Sequence, residues 1–158
     1  MNETGLRVEP EDQIDEWDLV MLSDSDYAGN QETRISISGF ILYLMGVAIL
    51  SWRLKGQRSG MLSSSEAEFV AVLEAAKEIN FVVQILQSMK VPVKIPVNVR
   101  VDNVGAIFRA KNVTTSKCTL HVDFRYHFVQ EFVKDGFIKM IFVKAVDNNA
   151  FFNFLPEK

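Results

Sequence analysis

Three acidic residues that lie far apart in the sequence are candidates for one shared site. Asp24 closes the apolar run that begins at Trp17, Asp102 follows the alternating segment 97–101, and Glu68 lies near the start of a long apolar series. Functional groups of open α/β sheets gather beyond the carboxyl ends of the strands. We therefore expect these acids to converge if the first and fourth strands are parallel neighbours.

Converging carboxylates repel one another unless a cation neutralises them. Hard oxygen ligands without His or Cys favour Mg²⁺ or Mn²⁺. Such a site suits phosphoryl chemistry, in which two metal ions roughly 4 Å apart activate a water and stabilise the leaving oxygen.

Each acid also has a plainer structural interpretation, which the sequence alone leaves open. Asp24 and its neighbour Asp26 can end a strand and open a turn. Glu66 and Glu68 can serve only the dipole and the cap of a helix. Asp102 can belong to a turn. It is the placement of all these acids at strand ends that favours the metal site.

Hydrophobic periodicity predicts the elements that must position these acids. Alternating or β-branched runs indicate five strands, and apolar residues at helical spacing indicate three helices and a short terminal one. The predicted strands cover residues 17–26, 35–44, 48–54, 97–102 and 137–143, and the predicted helices cover residues 63–89, 105–111, 122–134 and part of 147–158.

This order predicts an α/β fold with one mixed five-stranded sheet flanked by helices. The first three strands precede any helix, which favours an antiparallel meander, and the later β-α-β connections favour two parallel additions to the same sheet. We assign residues 17–158 to this domain and residues 1–16 to a flexible acidic leader.

Composition excludes several classes of protein. With 158 residues and 48% hydrophobic residues, the chain is long enough for one core and is not a disordered tail. Cys118 is the only cysteine, so an internal disulfide and a cysteine-based zinc site are excluded. No signal peptide and no apolar run of about 20 residues is present, so we expect no membrane partner. We expect a monomer in a reducing, intracellular setting.

The charge distribution favours a polyanionic partner without establishing one. Residues 1–18 hold seven acids and one base, so the net charge of -3 divides into -6 there and +3 in the remainder. The nearest approach to a basic cluster follows the third strand and consists of Arg53, Lys55 and Arg58. These side chains are candidates for phosphate binding, and an ordinary solvated surface is the alternative.

Several segments together resemble the ribonuclease H domain of the Ty1/copia-type retrotransposon Pol polyprotein. The matching stretches are SDSDYAGNQETR with SISGF (23–40), ILSW followed by KGQ (49–57), LSSSEAEFVAVLEAAKE (62–78), VDNVGAIF (101–108) and HVDFRYHFVQEFV (121–133). The resemblance covers nearly all of the chain after residue 17, with its spacing preserved. It implies an RNase H-like fold, in agreement with the element order above.

The resemblance also implies a function and a set of site residues. The expected activity is hydrolysis of the RNA strand of an RNA/DNA hybrid with two Mg²⁺ ions, or Mn²⁺, held by Asp24, Glu68 and Asp102 as metal-binding and catalytic residues. Asn103 and His121 join the basic cluster as candidates for substrate binding. In the parent polyprotein, a reverse transcriptase domain would lie upstream. The resemblance also implies a location in the cytoplasm or a virus-like particle, with the nucleus as a further candidate.

Two departures from the family pattern favour an alternative function. Phe151 stands where the family places a fourth acid, and Asp147, four residues earlier, is only a weak substitute because it lies about one helical turn away. The loop 112–121 retains Lys117 as its one Lys or Arg. The alternative is a degenerate or repurposed non-catalytic module that binds nucleic acid or protein, and a decayed element without function is a third interpretation.

Overall fold

The computed structural model describes residues 16–26, 35–57, 63–112 and 120–144, apart from the side chains of residues 120–125. Within these ranges the chain forms five strands and three helices. In chain order they are β1 (Leu19–Asp26), β2 (Ile37–Leu44), β3 (Ala48–Gly56), α1 (Ser64–Ser88), β4 (Val97–Val101), α2 (Val104–Lys111), α3 (Leu120–Lys134) and β5 (Ile138–Phe142).

All five strands form one mixed sheet in the order β3-β2-β1-β4-β5. β2 pairs antiparallel with both β1 and β3. β4 pairs parallel with β1, and β5 pairs parallel with β4. The predicted fold class, three antiparallel strands extended by two parallel ones, is confirmed.

The β2–β3 connection is a tight hairpin, which is consistent with the antiparallel meander predicted for the first three strands. Met45 and Gly46 both have positive φ values, 53° and 71°. The Val47 N–H donates to the Leu44 carbonyl at 3.1 Å. Positive φ at two successive turn residues matches the right-handed twist of the flanking strands. The hairpin therefore places β3 beside β2, and in the strand order of the sheet this is one of its two edges.

The core lies between the sheet and the long helix α1. Buried apolar residues of α1 include Phe69 and Ile79, and they join Leu19 and Met21 of β1 and Val99 of β4 in one cluster. Small residues at positions 71, 75 and 76 are also fully buried, which allows the helix to approach the strands closely. This packing holds α1 against β1, with Glu68 in the second turn of the helix.

Two helix ends carry clear local signals. Ser63 caps α1, and its side chain accepts a hydrogen bond from the Glu66 N–H at 3.2 Å. α3 ends in a Schellman arrangement, in which Gly136 has a φ of 69° and the Phe137 N–H donates to the Phe132 carbonyl at 2.9 Å.

Ser63→Ala should lower the free energy of unfolding by about 1 kcal/mol, because the Glu66 N–H loses its capping acceptor. Urea denaturation would measure the change. Ser64→Ala is the matched control, since Ser64 is the first helical residue and is exposed. An equal loss in both variants would contradict the assigned cap.

The structure corrects several predicted boundaries. Trp17 lies outside β1 and instead forms an isolated parallel bridge with Val93. β3 continues to Gly56, two residues beyond its predicted end, because β2 pairs with it along its whole length. α2 and α3 begin at Val104 and Leu120, slightly before their predicted starts.

Two predicted segments lie outside the described residues: nearly all of the acidic leader, and the terminal helix within 147–158. Among the described helices, none has both the length and the apolar character needed to cross a membrane.

Candidate metal centre

The register between β1 and β4 places two of the predicted acids side by side. The last parallel pair is Leu22 with Arg100, and β1 extends beyond it as far as Asp26. Continuing that register aligns Asp24 with Asp102, which follows the last residue of β4. Because both strands run in the same direction, their carboxyl ends meet at one edge of the sheet.

Glu68 joins these two aspartates from α1. One carboxylate oxygen from each of Asp24, Glu68 and Asp102 lies within 4.8 Å of the others. Asp24 and Glu68 are buried, with 6% and 4% of their surface exposed, and Asp102 is partly buried. The structure therefore brings together all three acids that the sequence singled out. We refer to them as the acidic cluster.

Ser25 connects two members of the acidic cluster. Its N–H donates to Oδ1 of Asp24 at 2.8 Å and to Oε1 of Glu68 at 2.9 Å. Its hydroxyl donates to the same Oε1 at 2.8 Å. Oε2 of Glu68 is buried and has no hydrogen-bond partner among the described residues.

The cluster is electrostatically unfavourable without a cation. Burial, together with the nearby Asp24 and Asp102 carboxylates, raises the pKa of Glu68 from 4.5 to about 8, and the hydrogen bonds from Ser25 oppose this increase. Burial, followed by the charge of Asp102, raises the pKa of Asp24. Burial also raises the pKa of Asp102. A bound cation would remove this penalty.

The arrangement of oxygens fits a hard divalent cation. A buried carboxylate oxygen without a hydrogen bond is costly unless it has another partner. Oε2 of Glu68 is such an atom, and the Glu68 carboxylate lies beside two further carboxylates. The ligand set consists only of carboxylates, which Mg²⁺ and Mn²⁺ prefer. The three residues could therefore hold such a cation together.

Close contact between the starts of α1 and α2 fixes the loop that carries Asp102. A Cβ added at Gly105 would lie 2.6 Å from Oγ of Ser65, so only glycine fits there without a shift. The Asn103 side chain accepts from the Ala106 N–H at 3.1 Å and caps α2. It also accepts from the Ser65 hydroxyl at 3.4 Å.

The substrate-binding candidates are more scattered than the acids. Arg53 pairs with Glu74 of α1 at 3.9 Å, and Lys55 is exposed on β3. The Asn103 side-chain oxygen is occupied by the cap of α2. Arg58, Asp147, Phe151 and the His121 side chain lie outside the described residues. The substitute metal-binding role of Asp147 stays a prediction, and so does the substrate role of Arg53, Lys55, Arg58, Asn103 and His121.

Two residues near the site were missed by the sequence analysis. Ser25 is one, and Gln57 is the other. Gln57 is buried, and its amide donates to Oγ of Ser38 at 2.6 Å and to the Ala67 carbonyl at 2.9 Å, beside Glu68. The sequence shows that Ser25 lies between two acids and that Gln57 follows a strand. It does not show which groups their side chains contact.

Solved structures with a similar fold are RNase H structures. An LC11-RNase H1 solved in complex with an RNA/DNA hybrid matches with a TM-score of 0.62 at 13% identity, over 85% of this chain and 91% of that one. The N-terminal RNase H domain of Rv2228c from Mycobacterium tuberculosis matches with a TM-score of 0.62 at 12% identity, over 86% and 88% of the two chains. The fold is therefore that of an RNase H domain.

Sequence relatives identify the group to which this domain is related. Retrovirus-related Pol polyproteins match over 128 residues, or 81% of this chain: 35% identity for transposon TNT 1-94 of Nicotiana tabacum and 30% for transposon RE2 of Arabidopsis thaliana. The chain spans about a tenth of their length. The secreted RxLR effector protein 161 of Plasmopara viticola is 48% identical over 60 residues, 38% of this chain and 42% of that protein. No protein-family model matches.

The chain therefore has the fold of an RNase H domain, and its sequence is similar to a segment of retrotransposon Pol polyproteins. The resemblance noted from the sequence motifs is thereby confirmed.

Proposed function

We propose that this domain is a ribonuclease H that cleaves the RNA strand of RNA/DNA hybrids with the help of divalent metal ions. The observation that carries the proposal is the acidic cluster, whose three carboxylates lie within 4.8 Å of one another at the carboxyl ends of β1 and β4. The RNase H fold of the chain and its Pol polyprotein relatives support the same activity.

Asp24, Glu68 and Asp102 would hold the metal, two Mg²⁺ ions in the full proposal or Mn²⁺ in their place. When bound, the metal would supply an activated water and stabilise the charge that develops on the scissile phosphate. Asp24 and Glu68 are held by burial and by Ser25, whereas Asp102 is more exposed. Neutralising these carboxylates is also necessary before a polyanionic hybrid can come close.

A cleavage assay on a hybrid with labelled RNA tests this proposal. We expect cleavage with Mg²⁺ or Mn²⁺ and none in the presence of EDTA, with single-stranded RNA and double-stranded DNA left intact. The Asp24→Asn protein, purified in parallel, controls for a contaminating nuclease. Absence of cleavage with either metal, in protein that is folded, would overturn the proposal.

A non-catalytic module is the second candidate function. Phe151 favours it, because phenylalanine cannot ligate a metal at the position where the family has an acid. The Phe151→Asp variant separates the two candidates. If the parent does not cleave the hybrid and Phe151→Asp does, the parent is a module that lost its activity through this residue.

The partner in the parent polyprotein would be an upstream reverse transcriptase domain. The polyprotein relatives, of which this chain matches about a tenth, support that arrangement. An intracellular location follows from the same proposal.

A further inference from the structure

Ser25 makes an unusual double contact with one oxygen of the acidic cluster. Its N–H and its hydroxyl both donate to Oε1 of Glu68, at 2.9 and 2.8 Å. The N–H is shared, since it also donates to Oδ1 of Asp24 at 2.8 Å. The hydroxyl is therefore the one side-chain donor from β1 that is committed to Glu68 alone.

The contact makes the two carboxylate oxygens of Glu68 different from each other. Oε1 receives both Ser25 donors, and Oε2 is left buried without a hydrogen bond among the described residues. The terminal torsion of a glutamate side chain is broad, so burial alone does not define which way the carboxylate plane is turned. The Ser25 hydroxyl supplies that definition, because turning the carboxylate would break its hydrogen bond.

We propose that Ser25 is a positioning residue whose hydroxyl orients the Glu68 carboxylate so that Oε2 is presented to a divalent cation between Asp24, Glu68 and Asp102. This inference rests on the proposed function, since it requires that the acidic cluster binds metal. Ser25 itself would not touch the metal.

The consequence concerns metal affinity. Residues that orient a metal ligand through a hydrogen bond contribute about 10- to 100-fold to metal affinity or activity. Loss of the hydroxyl leaves the shared N–H in place, so the smaller effect is expected here. Higher metal concentration should then restore much of the cleavage rate, because the ligands themselves remain.

A second serine–glutamate hydrogen bond, between β3 and α1, provides a matched control. The Ser51 hydroxyl on β3 donates to Oε1 of Glu78 at 2.6 Å. It also joins a strand to α1, but Glu78 is outside the acidic cluster. Ser51→Ala therefore removes the same type of hydrogen bond without affecting a metal ligand.

The experiment measures Mn²⁺ binding to the folded protein by calorimetry, together with the Mg²⁺ dependence of hybrid cleavage. We expect Ser25→Ala to weaken Mn²⁺ binding about tenfold and to need more Mg²⁺ for half-maximal cleavage, while Ser51→Ala stays within about twofold of the parent. Ser25→Thr keeps the hydroxyl and should bind like the parent. Valine has nearly the shape of threonine but no hydroxyl, so Ser25→Val should behave like Ser25→Ala. If Ser25→Ala is poorly folded, the comparison of Ser25→Thr with Ser25→Val replaces it.

The outcomes separate this inference from the proposed function. Equal Mn²⁺ affinity in Ser25→Thr and Ser25→Val, or an equal loss in Ser25→Ala and Ser51→Ala, would overturn the positioning role. If the parent itself binds no Mn²⁺ and cleaves no hybrid, the proposed function fails, and the positioning role fails with it.

Discussion

Asp24→Asn should reduce hydrolysis of the RNA strand by at least about a hundredfold, a loss typical of removing one electrostatic contact to the reacting centre. Asp24 is buried at the carboxyl end of β1, with a carboxylate oxygen within 4.8 Å of those of Glu68 and Asp102. An amide has nearly the same shape but no charge, so the cluster loses part of its attraction for the cation. Initial rates on a labelled hybrid at saturating Mg²⁺ would measure the effect.

Asp26→Asn is the matched control for this prediction. Asp26 is the last residue of the same strand, but it is exposed and is not part of the acidic cluster. The same chemical change two residues away should leave the rate within about threefold of the parent, as for a surface substitution. Comparable losses in both variants would show that Asp24 has no special role.

Glu68→Gln should stabilise the metal-free protein at alkaline pH while it abolishes cleavage. In the fold, the pKa of Glu68 is raised from 4.5 to about 8 by burial. The folded protein therefore binds a proton more tightly than the unfolded chain, so its stability falls as the pH rises from about 4.5 to about 8. Glutamine carries no charge at any of these values, and it retains an oxygen that can accept the Ser25 hydrogen bonds.

Urea denaturation in EDTA at about pH 5 and about pH 8 would test this prediction. The variant should exceed the parent in free energy of unfolding by a few kcal/mol at the higher pH, and the difference should narrow at the lower one. Glu78→Gln on the same helix is the control, because Glu78 lies outside the acidic cluster. A difference between Glu68→Gln and the parent that does not change with pH would contradict the electrostatic explanation.

Much of the fold and the three acids of the candidate site could be predicted from the sequence, because both depend on local patterns. The capping serine and the apolar series defined α1 to within a residue at each end. Alternation at 97–101 identified β4, and the β-α-β connection implied that it is parallel to β1. Once that pairing is assumed, Asp24 and Asp102 must meet, since both follow strands that point the same way.

The residues that support the acidic cluster could not be predicted, because their roles depend on tertiary contacts. Nothing local shows that Ser25 faces Glu68, or that the amide of Gln57 reaches the first turns of α1. The position of Arg53, a candidate for phosphate binding, opposite Glu74 is likewise a contact that arises only when α1 packs on the sheet. Trp17 belongs to an apolar run by pattern, yet it pairs with Val93 outside β1.

The parallel pairing of β1 with β4 makes the cluster sensitive to a shift of a single residue. Side chains alternate between the two faces of a sheet, so a slip of β4 by one position would turn Asp102 away from Asp24. The three acids also come from segments that meet only when β4 pairs with β1 and α1 packs on the sheet. Metal binding would therefore require correct assembly of the sheet. A chain fragment that lacks β4, or that pairs it out of register, would have no metal site.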